Sequence, residues 1–235
     1  MKEKIYFIPG LMTDIRLWKR VFPLLENEFE LVHVPIPQTT NFDEMNKTLL
    51  EVFKEEKVNI LGFSLGGYIA SYFAINFPNR VKRIFLAAAT ASSTPIEEIE
   101  KRKEHLKNIE KGRLKLSYKK ALSLVEEKNQ NDEDLINTII NMFDESGKET
   151  FISQLTSTLH REDIFDKLAD LDLPIWIFYS KDDRLLNKEA LEKMQFLKEK
   201  INLISREGTS HNLPLETPNE LALYIKNWIV CKKEF

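Results

Sequence analysis

Gly62-Phe63-Ser64-Leu65-Gly66-Gly67 lies between an apolar run at 58–62 and a helical pattern at 65–76. A G-x-S-x-G sequence set between strand and helix describes a sharp turn. Such a turn holds the serine backbone under strain, so the residues beside it must be small. Glycines at both flanks provide that room. The turn projects the Ser64 hydroxyl at the C-terminal end of the strand and at the N-terminus of a helix. There the helix dipole and the free backbone N–H groups favour negative charge developing on an oxygen. The pentapeptide alone could arise by chance in a glycine-rich turn; its place between strand and helix gives it weight.

Working outward, six short β-rich runs stand out, at 4–8, 29–34, 58–62, 81–87, 174–179 and 201–205. Their apolar residues are nearly continuous, most clearly in Ile175-Trp176-Ile177-Phe178, where a half-exposed strand would alternate. That pattern predicts parallel strands buried on both faces. Helical patterns separate the runs. One is capped by Thr13 or Asp14 and continues through Trp18, Val21, Leu24 and Leu25. Others cover about 42–55 and 65–76, and a fourth follows Asn187 through Leu191, Met194 and Leu197. The last opens Thr217-Pro218-Asn219-Glu220, with a capping hydroxyl and proline at the first helical position. The alternation predicts an α/β fold with a doubly wound, mostly parallel sheet.

From 92 to 167 no strand is predicted. Amphipathic helical patterns, broken at Gly112, at 129–132 and at Ser146-Gly147, fill this stretch. We read it as a helical cap inserted between the fourth and fifth strands. The expected division is a core at 1–91, the cap at 92–167, and the rest of the core at 168–235.

A serine hydroxyl is a weak nucleophile until a positioned base takes its proton, and that base needs an orienting carboxylate. The fifth strand leads into Tyr179-Ser180-Lys181-Asp182-Asp183, and the sixth leads through Glu207-Gly208-Thr209-Ser210 to His211. The chain order is thus Ser, Asp, His. From 6 to 228 the chain resembles the serine hydrolases of the α/β-hydrolase fold, specifically small bacterial esterase-like members with a helical cap. The resemblance implies Ser64, Asp183 and His211 as the catalytic triad. In such relatives the acid lies three residues after a position usually held by glycine, which is Ser180 here, and this count selects Asp183 over Asp182. It also implies an oxyanion hole from two backbone N–H groups. One belongs to Leu65 and the other to Leu11 in Pro9-Gly10-Leu11-Met12, with Met12 as second choice. Many relatives have His-Gly where this chain has Pro9-Gly10.

The expected reaction is cleavage of a carboxylic ester or thioester through an acyl-enzyme on Ser64. Hydrolysis of acyl-carrier-protein methyl esters, enol-lactonase and carbon–carbon hydrolase chemistry share the same triad. A ligand-binding receptor that keeps the fold without turnover is the alternative of another class. Between Lys101 and Lys120 lie nine basic residues against Glu104 and Glu110. The plain reading is a solvated helix face; the sharper one is a dock for an anionic acyl carrier. Cap residues Leu116, Leu122, Leu124, Ile139, Met142, Phe143 and Phe151 are candidates for an acyl pocket, although helical spacing also suits packing.

Composition closes off other classes. With 235 residues, 43% of them hydrophobic and 30% charged, the chain can bury a core and keep a wet surface. A net charge of -3 gives no general field for nucleic acid. The single cysteine, Cys231, cannot form an internal bridge and reads as a small buried hydrophobe. No apolar run reaches the roughly 18 residues needed to span a membrane, and the run at 5–8 is too short for a secretory signal. A cytoplasmic location is expected. No metal or cofactor is expected, since His33, His105 and His160 lack ligand spacing and no phosphate-binding glycine loop is present.

Overall fold

A computed structural model describes residues 2–110, 114–196 and 201–231. Lys111, Gly112 and Arg113 of the basic stretch and Leu197 of the fourth helical pattern lie outside these described residues, as does the side chain of Met194.

All six expected strands form, with ends within one residue of expectation: β1 (Glu3–Ile8), β2 (Phe29–His33), β3 (Val58–Phe63), β4 (Val81–Ala87), β5 (Ile175–Ser180) and β6 (Asn202–Arg206). They join in one parallel sheet of order β2-β1-β3-β4-β5-β6. β3 and β5 are buried at every position, which is why they read as unbroken apolar runs.

Alternate residues feed two separate cores, as the two-residue strand period requires. Tyr6, Ile8, Ile60, Ile84, Leu86, Ile175 and Ile177 face one side and pack on the helices Leu65–Asn76, Phe42–Val52 and Phe165–Ala169. Ile5, Phe7, Leu61, Phe63, Phe85, Trp176 and Phe178 face the other and pack on the helix Pro218–Val230 and on Leu17, Trp18 and Leu25. Asn41 caps the helix Phe42–Val52 by accepting from the N–H groups of Asp43 and Glu44 at 2.8 and 3.2 Å.

Helices are inserted between β4 and β5, principally Ile96–Glu110, Tyr118–Leu122 and Glu133–Thr158. The last bends at Gly147, where φ is 82° and ψ is 170°. That is the Ser146-Gly147 break expected from sequence.

Three local expectations change. The first helical pattern divides into a 3-10 turn, Ile15–Trp18, and a short helix, Phe22–Leu25, because Pro23 can begin a helix but cannot donate within one. Asp14, rather than Thr13, caps the turn, accepting from Arg16 N–H at 2.9 Å. The Thr217 hydroxyl does not cap the final helix. It donates backward to Leu213 O at 3.1 Å, a carbonyl of the preceding short helix, Leu213–Glu216, that also accepts the Thr217 backbone N–H at 2.9 Å. Cys231 is half-buried at the end of the final helix, not fully enclosed.

Candidate active site

The parallel order brings the loops after β1 and β3 together, since β1 and β3 are neighbours while the chain runs on in opposite directions from them. Ser64 stands in the second of these loops with φ 51° and ψ -116°, a left-handed conformation that costs energy for any residue with a Cβ. Its backbone is pinned from both ends. Ser64 N–H donates to Ala87 O at the end of β4, and Ser64 O accepts from Gly67 N–H at 2.9 Å. The close approach of the following helix to β1 demands glycine: a Cβ on Gly66 would lie 2.3 Å from Pro9 O and 2.4 Å from Ile8 O.

His211 Nε2 lies 2.9 Å from Ser64 Oγ, and His211 Nδ1 lies 2.7 Å from Asp183 Oδ2. Asp183 is 1% exposed, and its second oxygen accepts from Leu185 N–H at 2.9 Å. Asp182, one residue earlier, is exposed and its N–H donates to Gly208 O. Ser180 is fully buried, and its hydroxyl accepts from Arg206 Nη1 at 3.1 Å, so the side chain that stands in place of the expected glycine has a partner.

In the loop after β1, Met12 has φ 57° and its N–H donates to the buried Gln154 Oε1 at 2.8 Å. The N–H groups of Leu11 and Leu65 carry no hydrogen bond to a described residue, and both residues border the same cavity as Ser64. Gln154, on the helix Glu133–Thr158, therefore ties the inserted helices to this loop, and Met12 packs there against Phe151 and Leu155. Replacing Gln154 by Leu is expected to destabilise the fold by about 1–3 kcal/mol, because a buried N–H loses its acceptor. Urea unfolding checks this, and an unchanged midpoint would contradict it.

The loop carrying His211 is held by two carboxylates that the sequence did not single out. Glu126 Oε1, from the inserted segment, accepts from Thr209 N–H at 2.9 Å, Ser210 N–H at 3.2 Å and Arg206 Nη1 at 2.7 Å. Glu216 accepts from Ser210 Oγ at 2.5 Å and from Glu126 N–H at 2.7 Å. Burial alone would raise the Glu126 carboxyl, but Arg206, Lys128 and the Ser210 N–H prevail and hold it down at about 2.

A cavity of about 490 Å³ opens over Ser64 and His211. Leu116, Leu124, Ile139, Met142, Phe143 and Phe151 line it, whereas Leu122 packs into the core beneath. His105, expected on a solvated face, borders this cavity. His160 does not border it, and its N–H bonds to Ser157 O. His33 lies on the edge strand β2 and takes the Trp18 indole N–H on Nδ1 at 3.2 Å; burial lowers its pKa. Of the basic stretch, Arg102 pairs with Glu98 and Lys103 with Glu100, local pairing that gives the carrier dock no support. Among the described residues, no cluster of His, Cys, Asp and Glu could hold a metal ion, and no helix is long and apolar enough to cross a membrane.

A serine at a strained strand-to-helix turn, on a six-stranded parallel sheet with helices inserted after β4, defines the class as α/β hydrolase. The family model for the alpha/beta hydrolase fold matches residues 33–218, and the chain belongs to that family. Solved structures similar to it include a thermophilic esterase from Thermogutta terrifontis with malate bound (TM-score 0.84, 20% identity, 97% of this chain and 90% of that one). A second is an enol-lactonase from Burkholderia xenovorans LB400 (TM-score 0.80, 15% identity, 98% and 92%). A third comes from work on carboxylesterases of the thaumarchaeon Nitrososphaera gargenis (TM-score 0.80, 15% identity, 97% and 90%). No curated protein matches the chain at a significant level.

Proposed function

We propose that this hydrolase cleaves a carboxylic ester or thioester through an acyl-enzyme on Ser64. The observation that carries the reading is the unbroken chain Asp183 Oδ2, His211 Nδ1, His211 Nε2 and Ser64 Oγ, open to an apolar-lined cavity. A carboxylate only accepts, so Nδ1 of the neutral ring bears the hydrogen and Nε2 offers its lone pair to the serine O–H. Ser64 Oγ attacks the acyl carbon as His211 takes its proton. The carbonyl electron pair moves onto oxygen, which the Leu65 and Leu11 N–H groups receive. Collapse of the tetrahedral species expels the alkoxide or thiolate, which takes the proton from His211. Water, deprotonated by His211, then attacks the acyl-enzyme, frees the acid and restores Ser64. On this reading residues 92–167 form a cap over the core of 1–91 and 168–235, and the apolar cap residues receive the substrate. The esterase and enol-lactonase likenesses lend support at the level of fold.

Covalent labelling tests the reading. A fluorophosphonate is expected to add once per chain by intact mass, and Ser64→Ala to give no adduct. A folded wild-type protein that resists the reagent would remove the basis for the reading and favour a binding role.

A further inference from the structure

Arg161 borders the cavity where the inserted helices return to the core. Its guanidinium lies over the Tyr68 ring, 4.4 Å from Cζ to centroid, and Nη2 donates to Thr90 O at 2.9 Å. The Tyr68 hydroxyl accepts from Glu162 N–H at 2.9 Å, so the segment is fastened beside the helix that follows Ser64. Nε is buried with no partner. Among the described residues no carboxylate pairs with this cation; beside Tyr68, which favours its charge, the like charge of Arg102 opposes it. Burial lowers Arg161 to about 10, so it remains charged at neutral pH. Arg102 borders the same cavity with Glu98 as its partner, and Lys120 and Arg184 add further positive charge at the wall.

A half-buried cation without a counter-ion is unfavourable, and two guanidinium groups bordering one cavity repel. Both penalties ease when an anion enters the cavity beside Arg161. Stacking on Tyr68 and the bond to Thr90 hold the Arg161 fork in place before any ligand arrives, which is the arrangement suited to a planar carboxylate. We propose that Arg161 is the anchor of an anion subsite and that the substrate is an ester bearing a free carboxylate. This rests on the reading of Ser64 as an esterase nucleophile and adds a substrate class to it.

The test compares p-nitrophenyl hydrogen succinate, glutarate and adipate with neutral p-nitrophenyl butyrate. For the wild type, kcat/KM for the preferred hemiester is expected to exceed that for butyrate by about 30-fold, from charge-assisted hydrogen bonds. Arg161→Gln is expected to collapse that ratio by a similar factor, chiefly through KM, and Arg161→Lys to restore part of it. A wild type that prefers the neutral ester, or an Arg161→Gln variant that keeps the ratio, overturns the proposal. The wild-type ratio needs no variant, so a variant that fails to fold does not decide the matter. Binding of succinate to Ser64→Ala, followed by thermal shift, separates the two readings. If no ester is turned over and fluorophosphonate does not label Ser64, the esterase reading fails. A succinate shift that Arg161→Gln abolishes still upholds the subsite, and absence of any shift sinks it.

Discussion

Ser64→Ala is expected to reduce kcat/KM for any ester the protein turns over by about 10⁴-fold or more, almost wholly in kcat. His211→Ala is expected to fall as far, since the hydroxyl at 2.9 Å from Nε2 has no other base within reach among the described residues. The double variant should be scarcely slower than either single one, because groups that act as a unit do not add. Asp183→Asn provides the finer discrimination. An amide can present N–H to Nδ1 and hold the wrong tautomer of His211, so a drop of about 10⁴-fold is expected. Asp182→Asn, one residue away and exposed, is expected to stay within about threefold. Steady-state kinetics on the four single variants and the double decide it. A Ser64→Ala protein that keeps a tenth of the activity would remove the proposed nucleophile. Equal losses at Asp182 and Asp183 would undo the choice between them.

Much of this arrangement could be read from residue order, for a physical reason. Strands buried on both faces must be apolar throughout, so Ile175-Trp176-Ile177-Phe178 marked β5 without any alternation to decode. The turn at Ser64 imposes a steric demand so severe that glycine at 66 becomes a signature. Parallel topology then brings loop ends together, and so His211 and Asp183, distant in sequence from Ser64, arrive beside it. Polar groups that work by tertiary pairing leave no such trace. Glu126 sits in Glu126-Glu127-Lys128-Asn129, which reads as a solvated turn, yet it is buried against the His211 loop. Gln154 and Arg161 lie in ordinary helical and turn patterns. Their partners, Met12 N–H and Tyr68, are set by how the inserted helices dock. Thr217 shows the converse. A capping pattern that is locally sound lost its hydroxyl to a carbonyl four residues back, because a helix already ended there.

Glu126 is where the largest loss of stability is expected, and its pH dependence gives the sharper test. The side chain is 7% exposed and takes two backbone N–H groups and the Arg206 guanidinium on one oxygen. Glu126→Ala would leave the Thr209 and Ser210 N–H groups unpaired and Arg206 with the Ser180 hydroxyl, at 3.1 Å, and Glu220, at 3.7 Å. Breaking one side of a buried ion pair costs about 3–5 kcal/mol, or about 10 °C in Tm for a chain of this size. The sign with pH follows from the carboxyl's depression to about 2 in the fold, against an ordinary value of 4.5. A depressed acid stabilises above its unfolded pKa, and that contribution is lost as pH falls through the window from 4.5 to 2. The gap between wild type and Glu126→Ala should therefore be flat from pH 8 to pH 6. It should narrow by about 2 kcal/mol by pH 3, leaving the part due to the unpaired N–H groups. Glu126→Gln, similar in shape but uncharged, should fall between the two at neutral pH and approach wild type in acid. Urea unfolding at pH 7 and pH 3 measures all three. A gap that stays constant between those two values would mean that packing, not the charge of Glu126, holds the His211 loop in place.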